Sequence, residues 1–290
     1  MASIACDASS NTPGVVVDGL GRSVKLTAVP QRIVSLAPAN TEMLFAIGLG
    51  EKVVGVTEFA NYPDEASTRE KVGGYSDVDL EKLISLQPDL VVADGIQHES
   101  EIIPALERLD VPVIALNPIT LEEVLTDMEL LGLVTGNEKQ ASNLVASLED
   151  RISSVTDVLQ GVDFSEKPDV LFVVWHDPIW TSGMGTLAND LMEKAGGRNI
   201  ASEVIGYGTI SLESVVSRAP DVIVVVGGHG EGEDLPFQWV MSDSRLKDVP
   251  AMTGSSPNVY QVDADITTRP GPRIVDGLEL LAELIHPEMF

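Results

Sequence analysis

The chain has 290 residues, 44% of them hydrophobic, a length that supports two globular domains, each with its own core. Its formal net charge of −27 argues against nucleic acid or an anionic membrane surface as partner, since both would be repelled, and reads most simply as a solubility device. No apolar run approaches the ~20 residues that span a bilayer, and a single cysteine forbids an internal disulfide.

That cysteine, Cys6, follows Ser3-Ile4-Ala5 and precedes the polar stretch Asp7 to Thr12. Small residues before a cysteine and a tether after it predict a lipid-anchor site, which would place the protein outside the cytoplasm, in a periplasm or at a cell surface. The plainer reading is a free thiol in a tail.

Taken in order, Val15 to Asp18 and Ser23 to Leu26 predict a hairpin turned at Gly19 and Gly21. A strand at Arg32 to Leu36 leads through a loop, Ala37-Pro38-Ala39-Asn40, into a helix from Thr41 to Ile47 ended by Gly48. A strand at Lys52 to Val56 and a loop at Thr57 to Pro63 follow. Next comes Tyr75 to Val92, which recurs without a gap at Tyr207 to Val224, 132 residues on. Gly74, Tyr75, Leu80, Glu81, Ser85, Pro88 and Asp89 return as Gly206, Tyr207, Leu212, Glu213, Ser217, Pro220 and Asp221. Each copy reads as a tyrosine loop, a helix capped by Asp79 or Ser211, a proline stop and a strand covered on both faces.

A helix near Ser100 to Leu109 and a strand at Val111 to Leu116 complete the first β-α series, with a boundary near Pro118. Leu121 to Val162 is helical throughout, broken at Gly136-Asn137. Its second part, Glu138 to Leu159, would run about 33 Å and reads as a rigid strut. The second half repeats the grammar. A strand at Val170 to Val174 runs into a loop holding Trp175 and Trp180, then Thr181-Ser182-Gly183, and a helix spans Thr186 to Ala195. The repeat strand is followed by an acidic glycine-rich loop, Gly227 to Asp234. A strand at Asn258 to Val262, a loop from Asp265 to Pro272 and a helix from Arg273 to Ile285 finish the chain. The pattern predicts a tail and hairpin over 1–29, an α/β lobe over 30–118, a helical linker over 119–164 and a second α/β lobe over 165–290, with a ligand site between the lobes.

Aromatics are 4% of residues. Phe59, Tyr62, Tyr75, Trp175, Trp180 and Tyr207 fall in the predicted loops beside strands, and ligands of open α/β sheets bind outside the carboxyl ends of strands. As a set they predict a large, flat or ring-bearing ligand. No catalytic constellation emerges. Cys6 has no base near it in sequence, and His98, His176, His229 and His286 show no metal-ligand spacing. Thr181-Ser182-Gly183 is no nucleophile elbow, and the 227–234 loop lacks a phosphate-binding lysine.

Three stretches carry a family resemblance: Arg32-Ile33-Val34-Ser35-Leu36-Ala37-Pro38-Ala39-Asn40-Thr41-Glu42, Leu80 to Leu83 with Gln87 to Val91, and Arg269-Pro270-Gly271-Pro272-Arg273-Ile274. With them the chain resembles the helical-backbone class of periplasmic binding proteins, over roughly residues 30 to 288, and is most similar to its cobalamin-binding branch. The resemblance implies an α/β fold of two Rossmann-like lobes with central parallel sheets joined by a long rigid helix. It implies an extracytoplasmic, non-enzymatic protein that hands its ligand to an ABC permease dimer with its ATPase subunits. It touches membrane only through that permease or a lipid anchor at Cys6.

The ligand implied is cobalamin or a related corrinoid, with Pro38, Ala39, Asn40, Phe59, Tyr75, Asp94, Trp175, Trp180, Tyr207, Asp265 and Arg269 at the ligand. No metal site and no catalytic cofactor belong to the protein itself. Asp94 stands where the branch has a tryptophan, and Tyr75 and Tyr207 replace two others. Haem-binding relatives use a tyrosine at the place of Tyr75, so haem is the second ligand and a ferric siderophore the third. Glu81 and Glu213 are explained by the helix dipole alone, or, as the resemblance implies, as docking charges for two related permease subunits. A metal-dependent enzyme on the same fold, or a signalling or scaffold protein, are the other classes left open.

Overall fold

Runs of valine, isoleucine and leucine behind Arg32, Pro88 and Pro112 can be strands only if both faces are covered, and helices cover them. The computed structural model describes residues 14–228, 234–253 and 255–290, so Cys6 and His229 lie outside the described residues. The chain forms two compact units. One takes the chain up to Pro118 with Glu122–Ser147 and Pro270–Pro272; the other takes Ile119–Leu121, Leu148–Arg269 and Arg273–Phe290. The division falls inside the 22-residue helix Glu138–Leu159.

In the first unit a hairpin of β1 (Gly14–Val17) and β2 (Ser23–Leu26) precedes a five-stranded parallel sheet. Its strands are β3 (Ile33–Ser35), β4 (Val53–Val56), β5 (Glu70–Lys71), β6 (Leu90–Asp94) and β7 (Val113–Leu116), in the order β5-β4-β3-β6-β7. The order reverses between β3 and β6, which leaves a crevice outside their carboxyl ends. Two helices start there, Pro38–Ala46 after β3 and Gly95–Glu99 after β6. Below them Val34, Leu36, Leu83, Val91, Ile103 and Leu106 form one buried cluster. Each such side chain contributes roughly 1.5–3 kcal/mol by leaving water.

The second unit is built on β8 (Asp169–His176), β9 (Ile179–Ser182), β10 (Arg198–Asn199), β11 (Tyr207–Thr209), β12 (Val222–Gly227) and β13 (Val259–Asp263). β10, β12 and β13 continue a parallel sheet around β8, while β9 and β11 add antiparallel pairings. This sheet is therefore mixed rather than wholly parallel.

The repeat has a structural reason. Asp79 and Ser211 accept hydrogen bonds from Lys82 N at 2.9 Å and Ser214 N at 3.1 Å, capping the helices Leu80–Ser85 and Leu212–Arg218. Gln87 and Ala219, the residues before the two prolines, turn left-handed at φ 51° and 50°, a conformation that commonly closes a helix. The repeated aspartate then clips its strand to the central one. Asp89 accepts from Gln31 N and Arg32 N, both at 2.8 Å, and Asp221 accepts from Asp169 N at 2.9 Å.

Several expected boundaries move. Pro38, Ala39 and Asn40 are not a loop but the first turn of their helix, since proline's fixed φ suits a first helical position. The helix expected near Ser100 to Leu109 is two helices, Gly95–Glu99 and Ile102–Arg108, broken at Glu101 with φ 63°. Trp175, Trp180 and Tyr207 lie in strands β8, β9 and β11 rather than loops. The helix Ala264–Thr267 stands where a loop was expected, and a helix over Leu235–Ser242 follows the acidic loop.

Candidate functional site

In the first unit, Tyr75 and Asp94 come together. The Asp94 carboxylate ends β6, caps the following helix through Ile96 N at 3.1 Å, and accepts the Tyr75 hydroxyl. Gln97, fully buried, locks the pair. Its amide oxygen accepts from Asp94 N at 2.6 Å and its amide nitrogen donates to Tyr75 O at 2.7 Å. Burial pushes the Tyr75 phenol far above its ordinary range, and the Asp94 charge and hydrogen bond push it the same way. Burial also raises Asp94, against the hydrogen bonds it receives. The phenol is thus held as a neutral donor.

Asn40 is buried with its amide donating to Ala93 O at 2.9 Å, tying the helix after β3 to the end of β6. Ala39 is buried and Pro38 half-buried at the same crevice. Phe59 stands exposed on a loop whose Glu58 N donates to Gly73 O at 2.9 Å, beside the Tyr75 loop. Gly73 has φ 100°, and a Cβ there would lie 2.6 Å from Asp77 O, so this turn requires glycine. Lys71 braces the Phe59 loop through Ala60 O at 3.3 Å, and burial lowers its pKa.

In the second unit, Trp175 pairs across β8 and β9 with Trp180, and Trp180 pairs with Thr209 two residues from Tyr207 on β11. Directly paired residues share a face, so Trp175, Trp180 and Tyr207 form one aromatic surface. Each is 41–46% exposed, far more than a packed core ring. Burial of its hydroxyl end raises the Tyr207 pKa. The His176 ring lies 4.7 Å from the Trp175 ring and 6.1 Å from that of Trp239. At the end of β13, Asp265 pairs with Arg269 at 2.5 Å and with Arg273 at 3.6 Å. Glu81 and Glu213 are exposed in the first turns of the two repeated helices.

Sequence reasoning missed Gln97, Lys71 and Trp239. The first had a legible signal: Asp94 and Gln97 have the spacing of a capping box. Among the described residues no group of three or more His, Cys, Asp or Glu is placed to hold a metal ion, and no helix is long and apolar enough to cross a membrane.

A family model described as "Periplasmic binding protein" matches residues 33–264. The chain is 34% identical over 282 residues to a Bacillus subtilis protein named "Uncharacterized ABC transporter substrate-binding lipoprotein YvrC", covering 96% of this chain and 87% of that one. It is 27% identical over 254 residues to the vitamin B12-binding protein of Vibrio campbellii, covering 87% and 88%. Among solved structures it resembles a "possible" iron-binding (periplasmic solute-binding) protein from Staphylococcus epidermidis. The TM-score is 0.77 at 28% identity, over 89% of this chain and 100% of that one.

Proposed function

We propose that the chain, which belongs to the periplasmic binding protein family, captures cobalamin or a related corrinoid and delivers it to an importer. It is a substrate-binding protein of an ABC transporter and works outside the cytoplasm. Cys6 is its lipid anchor, as the name of the Bacillus relative supports.

The Tyr75–Asp94 pair carries the choice of ligand. A haem ligated by tyrosine needs the phenol to ionise, and here burial and the neighbouring carboxylate both oppose that. Haem also carries carboxylates that Asp94 would repel. A corrin is rimmed instead with amides, whose N–H groups suit an acceptor at this position. The exposed surface of Trp175, Trp180 and Tyr207 supplies flat area for the macrocycle, with Phe59 as a further ring contact. Pro38 and Ala39 line the crevice after β3, Asn40 fixes its wall, and Asp265 with Arg269 offers an acceptor and donors to the ligand rim. No chemistry on the ligand is required.

The helix Glu138–Leu159 acts as a stiff connection that limits motion on binding. Glu81 and Glu213, repeated at equivalent first turns, dock on two arginine-bearing permease subunits. The similarity to vitamin B12-binding proteins supports the choice of a corrinoid as ligand. All three tryptophans lie in the second unit, so an absorbing corrin bound there quenches tryptophan fluorescence. The test is that quenching by cyanocobalamin, with Asp94→Asn expected to weaken it about tenfold or more. Full affinity in Asp94→Asn would remove the pair from the site.

A further inference from the structure

In the first unit a groove of about 430 Å³ runs between β1 and the helix Leu121–Thr135, and none of the residues assigned to the ligand line it. Val15, Val17, Leu130 and Leu133 make it aliphatic; Glu129 and Glu138 stand along it, and among the described lining residues there is no lysine or arginine. Asp127 lies between this groove and a smaller cavity of about 160 Å³ beside Asn117 and Glu123. It is 94% buried, and its Oδ2 has no hydrogen-bond partner. A buried carboxylate left this way is costly, and a donor or counter-charge would relieve it.

Two ligand chemistries answer an acid. A divalent metal needs six or more oxygens or a cluster of ligating side chains, and no such cluster exists among the described residues. An organic ammonium needs one carboxylate for its head and aliphatic walls for its body, which this groove provides. We infer that the groove binds a small alkylammonium compound, its ammonium donating to the Asp127 carboxylate and its chain lying on Val15, Val17, Leu130 and Leu133. The site is separate from the proposed corrinoid site and does not depend on that reading.

The groups whose charge acts on Asp127 are Glu123 on its own helix, Asp18 in the hairpin turn and Asp94 at the end of β6, all acidic. Asp18 is already paired with Arg22 at 2.5 Å. Together with burial they raise the Asp127 pKa to about 7, so alkylammonium binding weakens as pH falls from 8 to 6.

The test is calorimetric titration at pH 8 with n-hexylammonium chloride, with n-hexanol and sodium chloride as controls. Saturable binding of hexylammonium is expected, at least about tenfold tighter than hexanol, and lost by about that factor in Asp127→Asn. Leu130→Lys, one turn along the same helix face, should place a resident ammonium on the acid and abolish binding. Cyanocobalamin titration of both variants is expected to match the unmodified chain, which keeps this test distinct from the corrinoid one. Equal binding of hexanol and hexylammonium, retention in Asp127→Asn, or no binding of hexylammonium would each overturn the proposal.

Discussion

Asp127 makes a prediction about stability that needs no ligand. Its pKa rises from an ordinary 3.8 to about 7, with burial the largest cause and Glu123, Asp18 and Asp94 adding to it. The folded state therefore favours the neutral acid. The stability this group contributes is full below pH 4, where it is protonated in both states, and is lost as pH rises through about 7. A rise from 3.8 to about 7 corresponds to roughly 4 kcal/mol, of which roughly 2–3 kcal/mol falls between pH 5 and pH 8. Asp127→Asn cannot ionise. It retains a buried polar group whose cost of about 1–3 kcal/mol is the same at both pH values.

Urea unfolding of the two proteins at pH 5 and pH 8 reads this directly, because other titrations cancel in the difference. The variant should gain on the unmodified chain by roughly 2–3 kcal/mol on going from pH 5 to pH 8. A difference that does not change with pH would refute the reasoning, since it would mean the carboxyl is hydrated or paired.

Trp175→Ala should weaken cyanocobalamin binding by about tenfold or more while leaving the far-ultraviolet circular dichroism intact; unchanged affinity would take the tryptophan surface out of the site. Gln97→Leu leaves Asp94 N and Tyr75 O without their partners, so unfolding free energy should fall by about 2–4 kcal/mol in denaturant melts. The double charge reversal Glu81→Lys with Glu213→Lys should preserve ligand affinity and abolish stimulation of the importer's ATPase in proteoliposomes; normal stimulation would contradict the docking role.

Much of the fold is legible because the repeat is carried by residues with single physical jobs. Asp79 and Ser211 cap, Pro88 and Pro220 end helices, and Asp89 and Asp221 clip strands. The helix Glu138–Leu159 has the bounds its periodicity predicts. Local signals fail where one residue has two meanings. Pro178 reads as a loop, yet it sits in the two-residue turn joining β8 to β9, so the paired tryptophans look like loop residues in sequence. Pro38 likewise reads as a loop residue but opens the helix Pro38–Ala46.

At the candidate site, residue types are legible and partners are not. The pairing of Tyr75 with Asp94 joins positions 19 residues apart, through a helix start that no periodicity announces. Asp127 did leave a trace. It lies three residues after Val124 and four before Leu131, both fully buried, so an acid interrupts the apolar stripe of its helix.

The most direct test of the account is calorimetric titration of the purified protein with cyanocobalamin, alongside a visible-spectrum titration with haemin. Saturable one-to-one binding of cyanocobalamin with no haemin shift is the predicted result. A haemin shift that disappears in Tyr75→Phe, with no heat from cyanocobalamin, would contradict it and show that the Tyr75 phenol ionises despite Asp94.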